Sequence, residues 1–365
     1  MRRTSCDRLA IASSARRRVY QFVTSLVSRI AAAIDGSALV RALAVLFPLG
    51  VLALVSGKPE WLEVSLVTVS TAIAVDRSRL APLGVIAHGI AIGAGFMVLV
   101  ASLASPPLFV GTTALLAMGS ILVIARGSEL RSLGSFTFIP VLYLACESAE
   151  GIGRSALIHR GFETLPFIWG AFVPVLLIAS IDHYREHHPE VSHLVHFSKW
   201  SRRSGIGERV PYVEAMITAA LAVGVAAALV EWRHIEHGQW MIWSAASVVT
   251  GSAASARLKF RHRITGATVG VPAGILAGLL VPHDAFSRDL IVLAALLTLV
   301  CIRPYVVAFG TRCGCAAMAF VVAGQPWTFA SERLINVVLG SAIGLLFTLA
   351  VQVIAKRLKL DGVAS

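Results

Sequence analysis

Charge is scarce in this chain. Acidic and basic residues together make up 14% of its 365 positions, against 56% hydrophobic residues. A water-soluble fold of this size could not cover so much apolar surface, so the composition excludes an ordinary globular enzyme. Cysteine is also sparse and scattered. Cys6, Cys146, Cys301, Cys313 and Cys315 show neither a disulfide framework nor zinc spacing. The sequence contains no G-x-x-x-x-G-K-[ST] phosphate loop, no G-x-S-x-G elbow and no H-E-x-x-H helix. We therefore expect no ATP motor, no catalytic residues and no cofactor. No compact apolar run follows the first arginines, so a cleaved signal peptide is not expected. A net charge of +12 invites a nucleic-acid reading. The cations, however, flank apolar stretches on alternating sides, and no nucleic-acid partner is expected.

What the chain does have is apolar segments. Six lie at about 39–56, 61–75, 82–103, 108–125, 132–148 and 164–181, and six more at about 212–231, 239–256, 264–281, 287–302, 304–323 and 333–355. About 20 apolar residues are needed to cross a bilayer, and most of these segments approach that length. The expected fold is an all-α polytopic membrane protein of about 12 transmembrane helices in two parallel six-helix repeats. With the N-terminus inside, 24 of the 32 lysines and arginines fall at inner ends or loops, six in outer loops, and Arg41 and Arg312 within spans. This bias is the positive-inside pattern, with both termini cytoplasmic. The divisions expected are a basic N-terminal segment 1–38, a first membrane repeat 39–181, a polar His-rich linker 182–211, a second repeat 212–355 and a tail 356–365. Apolar residues at helical spacing from Val19 to Ile30 suggest an amphipathic helix on the anionic leaflet.

The two halves also look alike. Aligning Trp61 with Trp240 pairs Ser65 with Ser244 and Thr71 with Thr250, and a two-residue gap brings Gly89 and Gly93 into step with Gly270 and Gly274. Transporter sites commonly lie between such repeats near the midplane. The stretch 240–280 reads as a tight hairpin: apolar 241–256, a basic hinge of Arg257, Lys259, Arg261 and Arg263, then 264–280 with Gly266, Gly270, Gly274 and Gly278 along one side. Four cations in seven residues do not belong in hydrocarbon, which reads the hinge as an inner loop.

Individual residues suggest roles. Arg312 sits in the otherwise uncharged run 306–322, where a guanidinium offers a bidentate site for a carboxylate. Arg263 opens the glycine-lined helix at an electropositive inner mouth. Trp243 offers a stacking face, and Gly266 and Gly270 suit either packing or the lining of a path. His88, inside the third segment, and Glu147 and Glu63, near outer boundaries, are proton-relay candidates. His183 and His187 have helical metal-pair spacing. Pro189 interrupts that helix and no second pair completes a site, so no metal is expected.

These residues also carry a family resemblance. Gln239-Trp240 and Trp243 precede Ser-Ala-Ala-Ser-Val-Val-Thr250, followed by Arg263-Ile-Thr-Gly266-Ala-Thr-Val-Gly270 and, later, Glu332-Arg333-Leu-Ile-Asn336-Val-Val-Leu-Gly340-Ser-Ala-Ile-Gly344. This pattern resembles the fusaric acid resistance and aromatic acid exporter family. The resemblance implies a bacterial inner-membrane protein that exports small, aromatic carboxylic acids, driven by a proton gradient or the membrane potential. The alternatives are a passive organic-anion channel and a non-transporting envelope scaffold. The partners it implies are an organic acid, membrane lipids, a second copy of the chain and a periplasmic efflux component. The large cytoplasmic domain of longer members is missing between the halves, where only 182–211 stands.

Overall fold

The computed structural model describes residues 32–123, 130–185, 200, 212–249 and 251–361. The expected amphipathic segment 19–30 and the linker histidines His187, His188, His193 and His196 lie outside them. The described chain is helical, with a lone bridge between Ile34 and Ile302 and no strands.

The first half comprises α1 (Gly36–Ser56), a one-turn α2 (Glu60–Glu63), α3 (Ser65–Ser78), α4 (Pro82–Ser102), α5 (Pro106–Leu122), α6 (Arg131–Ala149) and α7 (Leu157–Arg185). The second comprises α8 (Val213–Arg233), α9 (Gln239–Val248), α10 (Ala253–Gly278), α11 (Ala285–Leu297), α12 (Tyr305–Val322) and α13 (Trp327–Asp361). Local signals explain the boundaries. Asp35, Ser252 and Asp284 cap α1, α10 and α11 by accepting from main-chain N–H groups of the first turn. Proline opens α4 and α5, where its missing N–H costs nothing. Gly57 ends α1 in a left-handed conformation.

Among the described residues seven helices are long and apolar enough to cross a membrane: α1, α4, α6, α7, α8, α12 and α13. The other expected spans are shorter or more charged. A ten-residue helix such as α9 reaches only about 15 Å, half of the hydrocarbon thickness. In α10, 26 residues long, the basic residues fill the first half.

Here the expected hinge is corrected. Arg257, Lys259, Arg261 and Arg263 are not in a loop but inside α10, which runs unbroken from Ala253. Arginine and lysine are good helix formers, and the true break lies earlier, where Val249 turns extended and Gly251 takes φ +82° before the Ser252 cap. The neighbour that the glycine stripe meets is α12 rather than α9. A β-carbon at Gly270 or Gly274 would collide with the Gly310 or Gly314 carbonyl, and one at Gly266 would lie 3.0 Å from the Gly310 nitrogen. The two backbones touch directly, as small residues permit in membranes. A second such crossing places Gly340 and Gly344 of α13 against the Met241 and Ala245 carbonyls of α9.

The first half packs around Ile92, Phe96, Leu142 and Ile168, and this core runs on into Val223 and Met241 of the second. Across the halves, α5 lies on α8. Cys301 accepts from the Asp35 N–H, and Arg303 pairs with the Asp35 carboxylate at 3.4 Å. Arg41, expected within a span, sits at the start of α1 and pairs with Asp76 and Asp182.

Candidate anion-binding site

The two glycine crossings bring α9, α10, α12 and α13 together around one pocket. It is lined by Trp240, Trp243, Ser244, Arg263, Phe309, Arg312, Arg333 and Val337. Its empty volume is about 250 Å³ including its opening to solvent. Of the residues expected at a substrate site, Arg312, Arg263 and Trp243 meet here.

Arg263 is 4% exposed. Its Nη2 donates to Ser244 Oγ on α9 at 2.7 Å, its Nε to Ser341 Oγ on α13 at 3.2 Å, and its Nη1 to Tyr305 Oη on α12 at 3.3 Å. The guanidinium also lies 4.3 Å from the centre of the Phe309 ring. A planar fork with five N–H donors can bind three helices at once in a way that an ammonium cannot. All of these partners are neutral, so they orient the cation without cancelling its charge.

Arg312 is half-buried and donates from Nε to Thr298 Oγ1 at 3.1 Å. Arg333 is 8% exposed, lies 4.5 Å from the Trp240 ring centre, and its Nε has no hydrogen-bond partner. It was expected in an outer loop. The structure corrects this: α13 starts at Trp327, six residues before the expected span, and carries Arg333 inward. The polar Ser331-Glu332-Arg333 run hid that first turn from a hydropathy reading.

Among the described residues no carboxylate forms an ion pair with Arg263, Arg312 or Arg333. Burying one unpaired ion costs several kcal/mol even after relaxation. Three around one pocket, walled by Trp240, Trp243 and Phe309, form an electropositive cavity that could receive an anion. The aromatic walls suit a flat apolar group attached to that anion.

The other expected residues lie elsewhere. Gly266 and Gly270 do not line the pocket, since their faces are filled by α12. They set the helix spacing that forms it. His88 is 3% exposed in the first half, edge-on to Phe172, and neither ring nitrogen has a hydrogen-bond partner among the described residues. Glu63 is exposed at the end of α2. Glu147 is half-buried near the end of α6 beside Tyr143. None of the three touches the pocket. Ser244, Ser341 and Tyr305 were not read as site residues from the sequence, because single hydroxyl groups carry no pattern of their own. Arg333 did lie within the family-like stretch quoted above.

The long apolar helices mark a multi-pass α-helical membrane protein. Residues 225–347 match the family model described as fusaric acid resistance protein-like, which bears out the resemblance drawn from the sequence. That match spans every residue lining the pocket. No curated protein and no solved structure matches the chain.

Proposed function

We propose that this protein exports small organic acids, aromatic carboxylates above all, across a bacterial inner membrane. One observation supports the reading most: three arginines converge on an aromatic-walled pocket with no carboxylate among them. In this reading Arg312 and Arg333 meet the substrate carboxylate, Arg263 holds a fixed positive potential behind them, and Trp243 stacks on the ring. The fold works as twelve membrane crossings in two parallel repeats with cytoplasmic termini. Support comes from equivalent neighbours, since α4 packs on α6 and α7 as α10 packs on α12 and α13. Residues 182–211 then serve as the linker. The driving force is a proton gradient or the potential itself, which favours anion exit by about 2.3 kcal/mol per charge per 100 mV.

A second reading, a passive anion channel, is favoured by the same pocket. Among the described residues its lining holds no acid that could carry a proton with the anion.

The test is flux from liposomes held at a set potential, with a panel of aromatic and aliphatic carboxylates and with Arg312→Ala beside the wild type. We expect aromatic acid flux in the wild type. Loss of one charged hydrogen-bond donor is worth about 1.5–3 kcal/mol, so the variant should lose roughly tenfold to a hundredfold in apparent affinity. Counter-movement of protons marks an exporter, and conductive flux without protons marks a channel. Absence of flux for every acid would leave the scaffold reading standing.

A further inference from the structure

The anion pocket is small for its proposed task. Its cavity volume, about 10 Å³, is room for about one water molecule, far below the roughly 300–1,000 Å³ usual for small-molecule sites. A substrate therefore needs a wider state, and some element must hold the pocket narrow.

One contact is placed to do so. His237, in the short turn between α8 and α9, meets Glu150, just past the end of α6, with Nδ1 and Oε1 3.1 Å apart. The pair ties the second half of the chain to the first. The His237 side chain is 13% exposed and that of Glu150 is 48% exposed. The imidazole stacks on Trp240, with ring centres 5.0 Å apart and planes 21° apart, and it also contacts Phe320 and Phe329. Trp240 lines the pocket and carries the Arg333 guanidinium. A continuous chain of contacts thus runs from Glu150 through His237 and Trp240 to Arg333. His237 is further held in a left-handed backbone conformation, φ +50°. A residue that is not glycine occupies that region at a cost, and such strain persists only where the surroundings enforce it.

We propose that His237 and Glu150 form a proton-operated latch between the two halves, closing the anion pocket from the end of the bundle where α6 and α8 finish. The inference rests on the pocket's being the anion site. With His237 protonated, the pair is an ion pair, the turn is clamped, and Trp240 keeps Arg333 pressed against the pocket. When His237 loses its proton, the ion pair is gone and at most a hydrogen bond from the uncharged imidazole to the Glu150 carboxylate remains. The turn is then free to move and to take Trp240 with it.

The carboxylates around His237 push in one direction. The hydrogen bond to Glu150 is the largest influence raising its pKa above the ordinary histidine value. Burial opposes this, while the charges of Glu150 itself, Glu147 from α6 and Glu332 from α13 add to it. Arg333, across Trp240, is the nearby cation. Because the folded-state value is raised, the pair's stabilisation is fully present below the unfolded histidine value, about 6.5. It is lost as pH rises through the raised value. The latch therefore shuts in acid and releases toward alkaline pH.

Amide hydrogen exchange on the full chain in lipid nanodiscs tests the latch without any ligand. At pH 5.5 and 8.5, after correction for intrinsic exchange, we expect the protection of residues 147–152 and 234–243 present at the lower pH to be lost at the higher one. His237→Gln and Glu150→Gln should each abolish that step and leave the turn open at both values. Equal protection at the two pH values in the wild type, or a step that survives in both variants, overturns the latch. Quenching of tryptophan fluorescence by 2-hydroxybenzoate at the same two pH values separates the latch from the reading on which it rests. A pH-dependent latch with no quenching at either value refutes the anion site and leaves the latch intact. Quenching whose affinity is the same at both pH values, alongside a working latch, refutes the control of the pocket.

Discussion

The three arginines of the pocket do different jobs. Arg263 spans three helices through Ser244, Tyr305 and Ser341, whereas Arg312 has one such partner, Thr298. Removing the first should therefore injure the fold and removing the second mainly the site. Arg263→Lys keeps the charge but offers a compact ammonium on a flexible stem. It leaves at least one buried hydroxyl unpaired, at about 1–3 kcal/mol. Unfolding in mild detergent should show that loss for Arg263→Lys and a change smaller than about 1 kcal/mol for Arg312→Gln, with anion affinity reduced in both. Equal destabilisation by the two would mean that Arg263 is not the organising residue.

Between elements, the decisive feature is backbone contact. At Gly270 and Gly274 no β-carbon fits without moving α10 off α12, because the obstacle is the opposing carbonyl rather than the tip of a side chain. Gly89 and Gly93, their partners in the repeat alignment, face the side chains of Phe172 and Trp169 at ordinary distances. Gly274→Ala should thus cost about 1–3 kcal/mol, the range for overpacking a tight core, and Gly93→Ala much less. Thermal unfolding of the two variants decides this, and a larger loss for Gly93→Ala would contradict the geometry. This difference also marks how far the sequence could be read. Glycines every four residues announced a close helix contact, and Arg312, Arg263 and Trp243 were legible as site residues because charge and indole are conspicuous in apolar runs. The identity of the contacting helix was not legible, since one-dimensional spacing carries no information about what lies across a groove. The basic run was misread for a related reason. A hydropathy reading treats cations as loop, while the helix needed only the extended Val249 and the left-handed Gly251 before its Ser252 cap. His237 and Glu150 were invisible as a pair because 87 residues separate them.

At the scale of the whole molecule, the number of crossings decides which ends of the helices share a side. Seven long apolar helices alone would leave residues 76–81 outside, after α1, and the end of α13 outside as well, if the chain starts inside. Twelve crossings put both inside. The contacts favour twelve. Arg41, at the start of α1, pairs with Asp76 at the end of α3 and with Asp182 at the end of α7. Asp35 meets Arg303 between α11 and α12, and Gln352, far along α13, bonds to Ala253 at the start of α10. At the opposite end Arg160 reaches Glu60, and Glu150 reaches His237. Each pair joins positions that twelve crossings place on one side. Together α2 and α3 run from Glu60 to Ser78 with a single residue between them, about 28 Å at 1.5 Å per residue, close to one hydrocarbon thickness. Labelling with a membrane-impermeant maleimide, on chains whose native cysteines are replaced, tests this. Arg77→Cys, Arg257→Cys and Lys356→Cys should react only after the membrane is opened. Lys58→Cys, Arg154→Cys and His283→Cys should react in sealed spheroplasts. Labelling of Arg77→Cys and Lys356→Cys in sealed spheroplasts would return the count to seven and place α3 and α9 as helices that enter the membrane without crossing it.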